Sequence, residues 1–215
     1  PRIVIDLEKL RHINCGLGRF SLHLGEELLQ VAPGRFEPIL FLPKGCERYF
    51  PGGGYDMLEV APWKKEALRR LYRPLARPFV PKTDLALWHM TNQMSKYLPL
   101  DPRTPVLLTI HDLNFLHEAC HDEQVGKISR KLADVQAKID RAVAVVTDSQ
   151  FVADDVAAHL ELGGRPISVV PLGLSAAPKA AAERPAWLPD GSFLLTVGNC
   201  LAHKNFHVLL DLIER

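Results

Sequence analysis

The sequence predicts an α/β protein built on a doubly wound parallel sheet. Short β-branched and apolar runs alternate along the chain with longer segments whose apolar residues recur at helical spacing. Several of the short runs are apolar throughout, which indicates a sheet covered on both faces. Strands that alternate with helices imply right-handed crossovers, so neighbouring strands are expected to be parallel.

The elements follow in order from the start of the chain. A strand at residues 3–5 precedes a helix whose apolar stripe consists of Leu17, Phe20, Leu24 and Leu28. Further strands are predicted at 38–42, 57–60, 85–88, 106–111, 142–147 and 167–170. Helices are predicted at 64–77, along the stripe Val125, Ile128, Leu132, Val135 and Ile139, and from Ser149, a suitable N-cap, to Leu160.

The domain organisation is predicted from a change in composition. Residues 1–171 form one Rossmann-like domain, and residues 172–191, rich in Ala and Pro without an apolar stripe, form a linker. Residues 192–215 begin a second α/β domain, with a buried strand at 193–197 and a helix carrying Phe206, Leu209, Leu210 and Ile213. Because the sequence ends soon after that domain begins, we expect it to be part of a longer protein.

Composition narrows the class of protein. A formal net charge of +1 gives no global reason to expect a nucleic-acid partner. The four cysteines are scattered without a Cys-x-x-Cys pair, and no signal peptide or membrane-spanning run is visible in these 215 residues. A reducing, cytoplasmic location is therefore expected.

Positive charge is concentrated between Trp63 and Lys82. The segment interleaves aromatic and aliphatic residues with cations, among them Lys64, Lys65, Arg69, Arg70 and Arg73. Such a segment suits peripheral contact with the inner face of an anionic membrane, or a surface that binds an acceptor. A solvated amphipathic helix packed on the sheet is the alternative.

Two glycine-and-base loops are candidates for binding a diphosphate. Gly16, Leu17 and Gly18 follow the first strand and open a helix, and Gly198-Asn199 with Lys204 takes the corresponding place in the second domain. Free N–H groups at a helix N-terminus attract anions, which suggests a phosphate held between two lobes. The alternatives are a simple tight turn at the glycines and a solvated Lys204.

Two common phosphate-binding motifs are missing. The third position of a dinucleotide fingerprint is Ser21, and the segment Leu42-Pro43-Lys44 after the second strand offers no acidic residue for a ribose, which argues against a nicotinamide enzyme. No glycine is followed by Lys-Ser or Lys-Thr, so the chain has no Walker loop.

His111 and Asp112 are candidate catalytic residues. They end the strongest strand of the sequence and so lie at the carboxyl edge, where open α/β sheets bind ligands. A histidine there orients a hydroxyl or donates to a developing charge near neutral pH. A histidine that only caps the strand end is the alternative.

His117, Glu118 and His121 match the His-Glu-x-x-His pattern of zinc hydrolases. In that pattern two histidines on one helical face bind the metal and the glutamate acts as base. No obvious third ligand follows, so a zinc-dependent hydrolase stays an alternative and no metal is expected. A non-catalytic module that binds anionic membrane or acceptor is a further alternative.

Five segments together resemble the N-terminal domain of a GT-B, retaining "group 1" (family 4) glycosyltransferase. The resemblance spans almost the whole chain, and its specificity comes from the order and spacing of the segments. They are Val4-Ile5-Asp6 with Gly16-Leu17-Gly18-Arg19-Phe20, Leu108-Thr109-Ile110-His111-Asp112-Leu113, Val146-Thr147-Asp148-Ser149-Gln150-Phe151, Val169-Val170-Pro171-Leu172-Gly173, and Val197-Gly198 with Lys204-Asn205.

The resemblance implies transfer of a sugar from a nucleotide-diphosphate donor to a saccharide or lipid-linked acceptor in cell-envelope polysaccharide or lipopolysaccharide synthesis, with retention at the anomeric carbon and without a metal cofactor. By position, Gly16 and Gly18 would face the diphosphate, Lys204 would neutralise it, and His111 would contact the sugar or acceptor. Leu172 and Asn199 depart from the family pattern. The family's paired glutamates would lie beyond Arg215, so the chain alone is expected to be inactive.

Overall fold

The computed structural model describes residues 1–60, 83–117, 122–174, 184–198 and 205–213, without the side chains of 122–125 and 213. The chain divides into two compact units, Pro1–Leu172 and Gly173–Arg215. Each unit is described by itself below.

The first unit is organised around a seven-stranded sheet. Every neighbouring pair of strands is parallel. The strands are β1 (Arg2–Asp6), β2 (Glu37–Leu42), β3 (Asp56–Glu59), β4 (Leu85–Met90), β5 (Val106–Ile110), β6 (Ala144–Thr147) and β7 (Ile167–Val169). All seven coincide, within two residues at each end, with strands predicted from apolar runs.

Helices flank the sheet, and all those of the first unit except a short one at Asn114–His117 lie where helical spacing predicted them. Those in the first unit are α1 (Gly16–Val31), α2 (Asn114–His117), α3 (Asp122–Arg141) and α4 (Gln150–His159). Two short 3-10 helices lie in loops, at Glu8–His12 after β1 and at Glu47–Tyr49 after β2. The predicted basic helix at 64–77 lies outside the described residues.

The order of the strands defines a topological switch point. The sheet runs β3-β2-β1-β4-β5-β6-β7, so the chain extends the sheet in one direction from β1 and in the other from β4. This is a Rossmann-like doubly wound fold, and it confirms the predicted fold class. In such sheets the crevice at the carboxyl ends of the two strands where the order reverses is the usual ligand site.

The sheet is covered on both faces because its side chains alternate between two cores. On β1, Val4 belongs to the larger core, which also includes Val135 of α3 and Val156 of α4. The adjacent Ile5 belongs to the smaller core, together with Leu22 of α1. Successive residues of a strand point to opposite faces, so β1 supplies both cores at once.

The sheet is less protected at its β3 edge. All four residues of β3 are exposed, and the strand pairs only with β2 within the described residues. The expectation of burial on both faces therefore holds for central strands such as β1 and β2 but not for β3.

Helix α4 begins with a side-chain cap. Ser149 has an extended backbone, and its hydroxyl oxygen accepts a hydrogen bond from the N–H of Val152 at 3.2 Å. The predicted N-cap is thereby confirmed. An N-cap satisfies one of the N–H groups that the first turn leaves without an intrahelical partner.

Loss of this cap is expected to destabilise the first unit. Ser149→Ala should lower the free energy of unfolding by about 1 kcal/mol, because the Val152 N–H loses its acceptor. Ser149→Asp, which keeps an acceptor oxygen, is the matched control and should unfold at nearly the wild-type urea concentration. Equal urea midpoints for the alanine variant and the wild type would contradict the assigned cap.

The second unit differs from its prediction. Residues 193–197 form no strand, and Leu194 and Val197 are 79% and 87% exposed. The prediction of a buried strand here is wrong because a strand needs a neighbour for its ladder, and none pairs with this segment among the described residues. The predicted helix is present as α5 (His207–Ile213).

Among the described residues, no helix is both long and apolar enough to cross a bilayer.

Candidate functional site

The candidate site lies at the carboxyl ends of β1, β4, β5 and β6. Asp6 ends β1, Thr91 follows β4, His111 follows β5 and Asp148 follows β6. Since all four strands are parallel, these residues meet at one edge of the sheet, next to the switch point.

The ring of His111 is held from two sides. Nδ1 lies 3.2 Å from Oδ2 of Asp148, and Nε2 lies 3.0 Å from the backbone oxygen of Thr91. A carboxylate and a carbonyl are both acceptors, so the ring fills both contacts only when it carries a proton on each nitrogen. The His111 side chain is only 8% exposed.

Gln93 connects the ends of β4 and β5. Its side-chain oxygen accepts from the N–H of His111 at 3.2 Å, and its Nε2 donates to the backbone oxygen of Asp112 at 2.8 Å. The backbone oxygen of Gln93 in turn accepts from Nζ of the buried Lys138, at 2.6 Å. The position of His111 is therefore fixed by three neighbouring elements.

Helix α1 contacts His111 directly. The ring of Phe20 meets the His111 ring edge to face, with 4.5 Å between the ring centroids. Phe20 lies in the second turn of α1, and the first recorded bond of that helix runs from the N–H of Arg19 to the oxygen of Cys15. The N–H groups of Gly16, Leu17 and Gly18 precede it, so the structure brings the predicted glycine loop close to the predicted catalytic histidine.

The two glycines differ in what surrounds them. A Cβ on Gly16 would meet no atom within 4 Å, whereas a Cβ on Gly18 would lie 2.1 Å from the backbone oxygen of His12. The space beside Gly18 is thus filled by the protein's own 3-10 helix. Of the two glycines, only Gly16 leaves open space for the approach of a ligand. Gly18 offers a diphosphate only its backbone N–H, because the space beside its Cα is occupied.

Asp112 stabilises a turn. Its Oδ1 accepts from the N–H of Asn114 at 3.1 Å, immediately before α2. A side-chain oxygen that binds an N–H two residues later is a common way to begin a turn. The catalytic role of Asp112 stays a prediction, and the observed contact accounts for the residue type.

A buried carboxyl group lies at the centre of the switch point. Asp6 is fully buried; its Oδ1 accepts from the N–H of Glu8 at 3.0 Å and its Oδ2 accepts from the hydroxyl of Ser95. Burial raises the pKa of Asp6 from 3.8 to about 7, against the lowering effect of the Ser95 hydrogen bond. The backbone oxygen of Asp6 accepts from the hydroxyl of Thr91.

His89 on β4 is a second titratable group inside the sheet. Its Nε2 lies 2.9 Å from the hydroxyl oxygen of Thr109 on β5. Burial, and to a lesser degree the charge of His111, lowers the pKa of His89 to about 4. His89 is therefore neutral at pH 7.

A cationic pocket of about 430 Å³ opens beside Asp6. Its walls come from the 3-10 helix after β1 and from the loop after β4. The lining residues are Glu8, Lys9, Arg11, Met94, Lys96 and Tyr97. The lining carries three positive charges and one negative charge, so its chemistry favours an anion.

His117 has partners other than a metal. Its Nε2 lies 3.0 Å from Oδ2 of Asp155 on α4, and Nδ1 of His159 lies 3.1 Å from the other oxygen. No group of three or more histidine, cysteine or acidic side chains that could hold a metal occurs in the described part of the chain. Glu118 and His121, the rest of the proposed zinc motif, lie outside the described residues.

Other predicted site residues also fall outside the described ranges. They are Asn199 and Lys204 of the second glycine-and-base loop, and Lys64, Lys65, Arg69, Arg70 and Arg73 of the basic segment. Their diphosphate-binding and membrane-binding roles stay predictions.

Sequence reasoning missed the polar residues that form the switch point. Thr91, Gln93 and Ser95 follow β4 in a segment without a motif, and Lys9 and Arg11 follow β1 and belong to no motif either. The available signal was their position, because each lies within five residues of the carboxyl end of β1 or β4.

Comparison with known proteins identifies no relative, so the interpretation of the candidate site rests on the geometry described above. No protein-family model matches the chain, and no curated protein matches it either.

Proposed function

We propose that the first unit is the acceptor-side domain of a retaining GT-B glycosyltransferase. The enzyme transfers a sugar from a nucleotide-diphosphate donor to a saccharide or lipid-linked acceptor. The single observation that carries the proposal is the contact between Phe20 and His111, because it brings the start of α1 and the histidine to one end of a doubly wound sheet.

The chemistry needs positive charge where the leaving group develops its negative charge. The bond between the anomeric carbon and the diphosphate oxygen breaks, and the acceptor oxygen forms a bond to that carbon. The acceptor proton leaves with the diphosphate. The N–H groups at the start of α1, beginning at Gly16, meet the diphosphate, since fixed donors aimed at a developing charge stabilise a transition state most effectively.

His111 supplies an imidazole ring of fixed orientation. Asp148 and the Thr91 carbonyl hold both ring nitrogens, so the ring donates to substrate after exchanging one of these contacts. Asp148 thereby positions the histidine. A catalytic group pre-oriented in this way loses little entropy on binding.

The test is sugar transfer by the protein expressed from its complete natural reading frame. A panel of labelled uridine, guanosine, adenosine and thymidine diphosphate sugars is offered with saccharide and lipid-linked acceptors. We expect one donor to be consumed with retained anomeric configuration. His111→Ala should lower kcat/KM by about 100-fold or more, in the range typical of a lost acid–base or electrostatic group.

The matched control is His23→Ala, which removes an exposed histidine from α1 that pairs only with Glu26 at 3.0 Å among the contacts described for it. This variant should keep kcat/KM within about twofold of wild type. Absence of transfer from every donor, or equal activity of the two variants, would rule out the proposal.

The two alternative functions gain no specific support. The described contacts of His117 link it to Asp155 and His159, and the basic segment that would bind a membrane lies outside the described residues. Neither alternative explains why the residues at the carboxyl ends of four strands converge.

A further inference from the structure

We infer that the cationic pocket between the 3-10 helix after β1 and the loop after β4 binds a phosphate monoester. The ligand's phosphate would be met by Lys9, Arg11 and Lys96, and the rest of the molecule would lie against Met94 and Tyr97. The shared chemistry is a terminal dianionic phosphate, carried either by a soluble sugar or by a lipid headgroup.

The first wall of the pocket holds its cations in place before a ligand arrives. The carboxylate of Glu8 is only 8% exposed and pairs with Lys9 at 2.9 Å and with Arg11 at 3.2 Å. Arg11 also donates from Nε to the backbone oxygen of Glu8. A guanidinium fixed by several partners is a pre-oriented site for a phosphate oxygen.

The second wall is tied to the first through Asp6. The carboxyl group of Asp6 accepts from the N–H of Glu8 on one wall and from the hydroxyl of Ser95 on the other. The same hydroxyl oxygen accepts from the N–H of Tyr97 at 3.3 Å. The walls therefore keep their separation, and the pocket is a built feature of the switch point.

Charge and volume together select the ligand. Two net positive charges in the lining match a dianion better than a carboxylate, which carries one charge. A cavity of about 430 Å³ exceeds the size of a phosphate alone and lies within the range of small-molecule sites, so it accommodates a sugar phosphate.

Identifying this ligand with the acceptor rests on the proposed function, whereas its binding does not. If the protein transfers a sugar, the phosphate-bearing molecule in the pocket is the acceptor, because the pocket shares the carboxyl edge of the sheet with His111. If it transfers none, the phosphate is still bound. A direct binding measurement therefore separates the two proposals.

The test uses the full 215-residue chain and calorimetric titration with glucose 1-phosphate, with glucose as the uncharged comparison. We expect one site for glucose 1-phosphate and no heat from glucose. Lys96→Gln should weaken binding at least tenfold, and Lys127→Gln, on the exposed surface of α3, less than twofold. Backbone amide shifts on titration should map to Lys9, Arg11 and Lys96, a readout that needs no variant.

A second arm distinguishes the source of the phosphate. Sedimentation with vesicles that contain phosphatidic acid, compared with phosphatidylcholine alone, tests a lipid headgroup. Binding in either arm that depends on Lys96 supports the inference and assigns the source. Failure of both arms, or equal weakening by Lys96→Gln and Lys127→Gln, would overturn it.

Discussion

Gly18→Ala is expected to destabilise the first unit by about 3 kcal/mol or more. The new Cβ would lie 2.1 Å from the backbone oxygen of His12 and 2.8 Å from Cα of Ile13. Both atoms belong to the main chain, so no side-chain rotation relieves the overlap, and α1 or the preceding 3-10 helix must move. Urea unfolding followed by circular dichroism measures the loss.

Gly16→Ala is the matched control, two residues away in the same helix turn. Nothing lies within 4 Å of the position of its Cβ. Alanine favours the helix over glycine by up to about 1 kcal/mol, so this variant should be as stable as wild type or slightly more stable. Equal destabilisation by the two substitutions would mean that α1 does not pack on His12 as described.

The pair also separates packing from binding. If Gly16 is where the diphosphate approaches the backbone, Gly16→Ala leaves stability intact and weakens donor binding. The two glycines then have different reasons for being glycine, although the sequence presents them as one Gly-x-Gly motif.

Asp6→Asn is expected to change the pH dependence of stability. The pKa of Asp6 is about 7 in the folded protein and 3.8 as the unperturbed reference. Between these values the folded state holds a proton that the unfolded state has lost, so this group makes the free energy of unfolding fall as pH rises from about 4 to about 7. Three pKa units correspond to about 4 kcal/mol, and above pH 7 the contribution is constant.

His89 acts in the opposite direction. Its pKa is lowered to about 4 in the folded protein, so the unfolded state binds more protons between about pH 4 and 6.5. This group therefore makes stability rise with pH in that window. The wild-type curve contains both contributions, and only a difference between variants isolates Asp6.

The measurement is urea unfolding of wild type and Asp6→Asn at a series of pH values from 4 to 8. Asparagine keeps an oxygen for the N–H of Glu8 and stays neutral, so its stability relative to wild type should increase across this range. Asp154→Asn, on the exposed surface of α4, should show no such trend. A constant difference between Asp6→Asn and wild type would contradict the raised pKa.

The sheet was predictable from the sequence because a strand that is buried on both faces has a recognisable local pattern. Strands such as β2 and β5 require continuous apolar runs, and the residues between them keep helical spacing to cover the faces. Residues 193–197 show the same apolar pattern without forming a strand. A local pattern reports that a segment suits a sheet, whereas pairing depends on a neighbour that the segment does not encode.

The candidate site was predictable only in part. His111 and Gly16 were found because each directly adjoins a strand or helix end, where position alone suggests chemistry. The clamp by Gln93 was missed because it joins the ends of two strands about eighteen residues apart. The cations Lys9 and Lys96 were missed because they belong to loops more than eighty residues apart. Such contacts follow from the strand order, which could not be deduced from the local sequence patterns.

The central place of β1 has a consequence for how the chain folds. Among the seven strands β1 is synthesised first, yet one of its neighbours, β4, begins at Leu85, which pairs with Arg2. Among the seven described strands no neighbouring pair is joined by a tight hairpin, so each of these ladders must close a long loop before it gains its hydrogen bonds, which is typical of slow folding. One edge of β1 therefore stays without its native neighbour until β4 has left the ribosome, and the switch point forms at that step.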